Sequence, residues 1–272
     1  MLVALCNENR TTAALATRGS DYHCPNCRKT LVLKKGRIIV HHFAHKPIID
    51  CEWAAGETLA HLEAKQLVFN ALSNRGLRAE LEFSVDTMPG DRRADVMTWS
   101  PTGRMIAIEL QHTSISAEDI GARAFAYARA GIAQMWIGFL PAAALAAAKQ
   151  KDDGTWIIRR YAPRQFERWI ASFAPKSGCW MYEPQSGCFW LARFQKHEIH
   201  TDEAIWYSAG GIENYREGYS RDSRKFRDLI LRGPLRIEDL RLVLSRRRQF
   251  ANSAGNWPAG MVANMVPAQG LS

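Results

Sequence analysis

The stretch from Arg93 to Gln111 restricts the fold of this chain more than any other. Ala94–Trp99 and Met105–Gln111 are two runs of strand-favouring residues, and Pro101-Thr-Gly103 supplies a tight turn between them. The pattern predicts an antiparallel hairpin. In a hairpin the start of the first strand faces the end of the second, so Asp95 and Glu109 become cross-strand neighbours. Like charges set opposite one another destabilise a sheet by roughly 0.2–1 kcal/mol. A divalent cation between them turns that penalty into a binding site, and oxygen donors suit Mg²⁺ or Mn²⁺. As a bare string the pattern also fits two ordinary surface acids, and that reading stays open here.

The segment before the hairpin bears on the choice. Glu57–Ser73 has helical periodicity, with Ala64, Leu67, Val68, Ala71 and Leu72 on one side and Glu63, Gln66, Asn70 and Asn74 on the other. Glu57, His61 and Lys65, spaced four apart, fall on the apolar side. Ionisable groups facing a core are costly unless they meet a charge or a metal. A helix N-terminus accounts for Glu57 alone, but not for His61 or Lys65. A strand over Ala79–Val85 follows the helix. Residues 55–140 therefore alternate helix and strand, the pattern of an α/β core.

Upstream, residues 20–54 are dense in Cys and His. Cys24-Pro-Asn-Cys27 and His42-Phe-Ala-His45 place two thiols and two imidazoles in close pairs across an expected hairpin, Leu31–Lys34 with Arg37–Val40. Four such donors suit a closed tetrahedral Zn²⁺ site. The His pair is closer than the usual H-x₃₋₅-H spacing, so His41, His23 or Cys51 could replace one of the four. A short segment with little apolar content also needs a staple to fold. A site with four protein ligands is structural rather than catalytic. Residues 1–54 thus read as a zinc-binding module, with a strand expected at Leu2–Leu5.

Past residue 140 the pattern is less informative. Trp156, Trp169, Trp180, Trp190 and Trp206 read mainly as core, with base stacking as the alternative for any that are exposed. Cys179, Cys188, His197 and His200 could make a second zinc site, although their spacing is not that of a zinc knuckle. The formal charge is +9, and Arg216–Phe250 holds eleven Lys or Arg against five acids. Such a stripe attracts polyanions, nucleic acid above all. A basic helix is expected over Arg236–Arg248, with Arg246, Arg247 and Arg248 as backbone contacts. The uncharged tail, residues 251–272, is expected to be disordered. No apolar run reaches the length of a membrane span, and Met1–Asn7 does not read as a signal peptide, so a cytoplasmic protein without a membrane partner is expected.

These motifs together resemble the competence protein CoiA-like family, which is similar to PD-(D/E)XK nucleases. The matching residues are the Cys and His pairs, Glu57-Thr-Leu-Ala-His61 with Lys65, Arg93-Ala-Asp95-Val96 and Ile108-Glu109-Leu-Gln111. Ser114-Ile-Ser116, Arg123, Tyr127, Gly131 and Met135-Trp-Ile137 follow. The resemblance implies a restriction-endonuclease-like α/β core over residues 55–140, flanked by the zinc module and a mixed α+β region over 141–250. It makes Asp95 and Glu109 the Mg²⁺ ligands, with Glu57, His61, Lys65 and Gln111 as further catalytic residues. Gln111 stands where that superfamily usually has lysine; Lys65 could restore the charge. Arg123 and Tyr127 share a helix face and could touch a phosphate and a base, or instead hold a core carboxylate. The expected activity is metal-dependent cleavage of DNA, with single-stranded character. The alternatives are a DNA-binding accessory protein without catalysis and a zinc-stapled protein-interaction module.

Overall fold

A computed structural model describes residues 1–46, 51, 53, 57–88, 90–173 and 178–268. Five short strands come first: β1 (Val3–Cys6), β2 (Asn9–Thr12), β3 (Tyr22–His23), β4 (Thr30–Lys34) and β5 (His42–His45). They form one sheet in the order β2-β1-β3-β4-β5. The expected hairpin exists, but β4 pairs with 42–45 rather than 37–40, so Leu31 lies opposite His45. That register puts Phe43 in the module's small core with Tyr22 and Leu31.

Next come α1 (Leu59–Asn74), β6 (Ala79–Val85), β7 (Arg92–Trp99), β8 (Met105–Gln111), α2 (Ala117–Arg129) and β9 (Ala133–Phe139). Strands β6 to β8 form an antiparallel meander, and β9 adds in parallel. A parallel neighbour needs a crossover, which α2 supplies. Helix α1 packs Leu62, Ala64, Val68 and Leu72 on one face of the sheet against Ile106, Ile108 and Leu110. Helix α2 covers the other face with Tyr127 against Ala94, Met97 and Ala107. This is the expected mixed α/β core, and the chain as a whole is mostly sheet with few helices.

The remaining elements are α3 (Ala142–Ala146), β10 (Lys149–Gln150), β11 (Trp156–Tyr161), α4 (Gln165–Phe173), β12 (Cys179–Glu183), β13 (Cys188–Thr201), β14 (Ala204–Tyr207), β15 (Glu213–Arg216), β16 (Tyr219–Leu235), β17 (Leu240–Arg247), β18 (Phe250–Asn252), β19 (Gly255–Trp257) and β20 (Gly260–Pro267). The main sheet runs β10-β11-β16-β13-β12-β9-β8-β7-β6, so the boundary expected near residue 140 crosses a continuous sheet. Trp169, Trp180 and Trp190 are buried and Trp156 is half-buried, whereas Trp206 is exposed on the β14–β15 ribbon.

Two further expectations fail. Arg236–Arg248 is not a helix: a short 3₁₀ turn leads into strand β17, in which Leu240, Leu242 and Leu244 alternate with period two and pack on the α1 core. The described part of the tail is not disordered either. Its apolar run Met261–Val266 forms β20, which pairs along β17 and touches β9. Low charge did not mean disorder, because that run has core to bury; residues 269–272 lie outside the described residues. No helix among the described residues is long and apolar enough to cross a membrane.

Candidate active site and metal centre

The hairpin register sets Val96 opposite Ile108, which makes Asp95 and Glu109 the next cross-strand pair. Both side chains are buried, and Asp95 Oδ2 accepts the Leu110 N–H at 2.9 Å. Thr58 caps α1, accepting the His61 N–H at 3.3 Å, so the helix begins after Glu57. This start aims the inward face of α1 at the carboxylates. His61 Nε2 lies 3.2 Å from Asp95 Oδ2, and Lys65 Nζ is 4.0 Å from Asp95 Oδ1. Burial alone would raise the Asp95 carboxyl, but His61, Lys65 and the Leu110 N–H outweigh it and hold it well below the usual range.

Lys65 is fully buried and ion-paired with Glu57 and, at 2.6 Å, with Glu82. Glu82 is a site residue that the sequence did not show. Alternation along Ala79–Val85 puts it on the outward side with Glu80 and Ser84. The backbone instead takes φ +49° at Glu82, and the β6–β7 register skips it between Leu81 and Phe83. Asp95 is skipped opposite it, so the register is unshifted, and the left-handed step at Glu82 itself turns the carboxylate inward. Its Oε1 accepts the Leu2 N–H at 2.9 Å and Oε2 the Val3 N–H at 3.2 Å, so it joins the N-terminal module to the core. Burial would raise the Glu82 carboxyl, but Lys65 and neighbouring positive groups pull it down to about 2. The same acids, Glu82 before Glu57 and Asp95, reverse the effect of burial on Lys65 and raise its pKa. The available signal was Lys65 itself, because a lysine on an apolar helix face demands an acid.

Glu109 is held differently. Tyr127 donates to its Oε1 at 2.6 Å, and Arg123 Nη2 lies 3.3 Å from its Oε2. Burial pushes the Glu109 carboxyl up, and Asp95 adds to this, against the opposing pull of Arg123. Tyr127 is fully buried, so it does not offer a face to a base; it and Arg123 hold a core carboxylate. Gln111 turns its amide to the Thr113 carbonyl, 2.7 Å away. His61 stacks on His112 at 4.5 Å. A pocket of about 260 Å³ opens over this floor, lined by Glu57, His61, Arg93, Asp95, Gln111 and Arg123 among others. Asp95, His61 and Gln111 thus line one opening, while Glu109, the cross-strand neighbour of Asp95, is buried and does not line it. Glu57 reaches the pocket wall, but its carboxylate is engaged by Lys65.

A second constellation lies in the N-terminal module. Cys24, Cys27, His45 and Cys51 bring one donor atom each to within 4.8 Å of one another, the one such group among the described residues. Cys27 Sγ is 3.3 Å from His45 Nε2, and Cys24 Sγ is 3.8 Å from Cys51 Sγ. Four tetrahedral ligands at ~2.3 Å from zinc stand ~3.8 Å apart, so the set fits. Burial, together with the nearby Cys27 and Cys51, pushes the Cys24 thiol up to about 11, a crowding that a cation relieves. His45 is lowered by burial first, which favours the neutral, ligating ring. His42 is not in the set, since β5 alternates and its Nδ1 lies 3.0 Å from the Val40 carbonyl; Cys51 takes that place. Cys179, Cys188, His197 and His200 do not converge, and His197 pairs with Asp228.

The basic residues expected to meet nucleic acid divide. Arg247 donates to the carbonyls of Pro258 and Phe173 and lies over the Phe173 ring, which makes it a packing residue. Arg246 and Arg248 are exposed.

Residues 57–205 match the family model described as competence protein CoiA, nuclease-like domain, and residues 5–54 match competence protein CoiA, N-terminal domain. The first match alone covers more than half of the chain. The chain belongs to the competence protein CoiA family. The CoiA nuclease-like domain thus begins at Glu57 and runs past the α/β core through β13, while the CoiA N-terminal domain coincides with the sheet that carries the Cys/His cluster. No curated protein and no solved structure matches the chain.

Proposed function

We propose that this protein is a metal-dependent nuclease of the PD-(D/E)XK type that hydrolyses DNA phosphodiester bonds, acting in the cytoplasm on DNA with single-stranded character during uptake or recombination. One observation carries the reading: two buried carboxylates, Asp95 and Glu109, are cross-strand neighbours, and Asp95 lines a polar pocket inside a domain matched as nuclease-like. A protein that only bound a polyanion would gain nothing from them.

The donor set fits a hard divalent cation, with Asp95 ionised and Glu109 beside it. Mg²⁺ or Mn²⁺ held there would supply charge neutralisation at the phosphate and a more acidic water. The rest falls to the chain. His61 fixes the orientation of Asp95, and Tyr127 anchors one oxygen of Glu109. Arg123, half-exposed at the pocket wall, can exchange Glu109 for a substrate phosphate. Lys65, fully buried, acts on Asp95 only through its charge. Zinc on Cys24, Cys27, His45 and Cys51 staples the N-terminal module.

One observation favours a DNA-binding accessory role instead: the Gln111 amide faces Thr113, so the position usual for lysine adds no charge to the pocket. The two separate experimentally. Purified protein is incubated with single- and double-stranded DNA in Mg²⁺, Mn²⁺ or EDTA, beside Asp95→Ala and Glu109→Ala. The nuclease reading expects metal-dependent cutting that either variant lowers by on the order of 10²-fold. DNA binding without cutting by the intact protein establishes the accessory role.

A further inference from the structure

The outer strands of the main sheet leave part of the α1 face uncovered. Along β13, Trp190 and Ala192 face the core beneath α4, and Leu191 packs toward the α1 core. Alternation therefore puts Leu191, Arg193 and Gln195 on the α1 side. The register sets Arg232 opposite Leu191 and Ile230 opposite Arg193. Ile157 pairs with Ile230, and Lys149 with Ile157. Arg193, Arg232 and Lys149 thus share one face, and Lys151 joins the first two around a hollow of about 190 Å³ floored by Leu191 and Ile230.

The charges there are poorly balanced. Arg193, Arg232 and Lys149 are exposed and have no carboxylate partner among the described residues. Asp153 is the one acid in the hollow; it pairs with Lys151 at 3.6 Å and accepts from Thr155. Arg159, nearby, is already neutralised by Asp228. Cations crowded on neighbouring strands destabilise a sheet unless an anion lies across them. A strip of cations over an apolar floor suits a polymer with regularly spaced negative charge. The strip is also placed to serve the pocket. From β9, whose Phe139 packs against His61 and His112, three strand spacings of ~4.8 Å lead to β16, a lateral step of about 14 Å.

We propose that Lys149, Lys151, Arg193 and Arg232 form a backbone-binding strip that holds the DNA strand on its way to or from the Asp95–Glu109 pocket. The inference rests on the DNA reading given above and names where the strand lies. It is tested by binding alone, so that its failure and the failure of the nuclease reading can be told apart. Fluorescein-labelled single-stranded DNA is titrated without added Mg²⁺ or Mn²⁺ into Asp95→Ala protein, with and without Arg193→Gln and Arg232→Gln together, across a salt series. An Arg104→Gln and Arg129→Gln pair serves as a charge-matched control. Both strip arginines are exposed and unpartnered, so a circular dichroism melt should be unchanged.

Two lost phosphate contacts should lower the slope of log K against log salt by about 1.4 and weaken binding at least tenfold at low salt. The control pair should do neither. An unchanged slope in the strip variant overturns the proposal, as does an equal loss in the control. Poly-glutamate competing as well as unlabelled DNA does so too, because it would point to an acidic protein partner.

Discussion

Replacing Glu82 with Gln should loosen the junction between the N-terminal module and the core by about 3 kcal/mol. The carboxylate takes three donors, with Oε1 accepting from Leu2 N–H and Lys65 Nζ and Oε2 from Val3 N–H. Gln offers one oxygen; its amide nitrogen would confront a donor, and Lys65 would lose its fully buried carboxylate partner. Breaking a buried pair from one side costs ~3–5 kcal/mol. Lys65 keeps Glu57 and the more distant Asp95, so the lower end applies. Linkage gives a second route to the figure. The Glu82 carboxyl falls from 4.5 to about 2 on folding, worth about 3 kcal/mol at ~1.36 per pH unit. Because the folded value lies below the unfolded one, this contribution is complete above pH 4.5 and fades as the pH falls toward 2.

At ~2–4 °C per kcal/mol for a domain of this size, the melting temperature at pH 7 should drop by about 6–12 °C. Differential scanning calorimetry of Glu82→Gln beside Glu80→Gln reads this directly, since Glu80 pairs with the exposed Arg78 and should shift the transition by only ~1–2 °C. The gap between parent and Glu82→Gln should narrow as the buffer is taken from pH 5 to pH 3. A Glu82→Gln protein that melts within 2 °C of the parent, with a gap that does not change with pH, would refute the buried-network reasoning.

Metal analysis after purification should give about one zinc per chain for His42→Ala and well below that for Cys51→Ala; the reverse order would place the wrong residue in the cluster. Tyr127→Phe removes the hydroxyl that donates to the buried Glu109 carboxylate and should cost roughly 1–3 kcal/mol in urea unfolding. Arg247→Ala should destabilise by about 1–2 kcal/mol through lost packing and carbonyl bonds, while Arg248→Ala stays within ~0.5 kcal/mol. Equal effects would mean that Arg247 is a surface charge like its neighbour.

The reach of the sequence follows from how local each signal is. The Asp95–Glu109 pairing could be read because the turn at Pro101–Gly103 fixes the register of two adjacent strands. The inward placement of His61 and Lys65 could be read because helical period depends on nothing beyond the helix. The fourth zinc donor was not fixed by spacing, since Cys51 reaches the cluster through a chain path that no local repeat encodes. Strand β17 was misread because its arginines drew attention to charge, while the period-two leucines beside them carried the fold. Strand β20 is not legible alone, because a strand's hydrogen bonds go to its partner, here β17, whose own strand pattern lies under a run of arginines.

Glu82 shows how such a gap can be narrowed. Alternation along β6 assigns it to water, and a single left-handed backbone step reverses the assignment. Nothing in the seven residues of β6 signals that step. Lys65 does, from another element: a lysine committed to an apolar helix face cannot stay charged there without an acid, and Glu57 alone sits at the helix end. A second carboxylate was therefore required on the sheet beneath α1, and Glu80 and Glu82 were the candidates on its edge strand. The deficit at one residue locates its partner better than the partner's own surroundings do. The same logic motivates the proposed strip, where Arg193 and Arg232 have no carboxylate partner among the described residues and an external polyanion would supply the balancing charge.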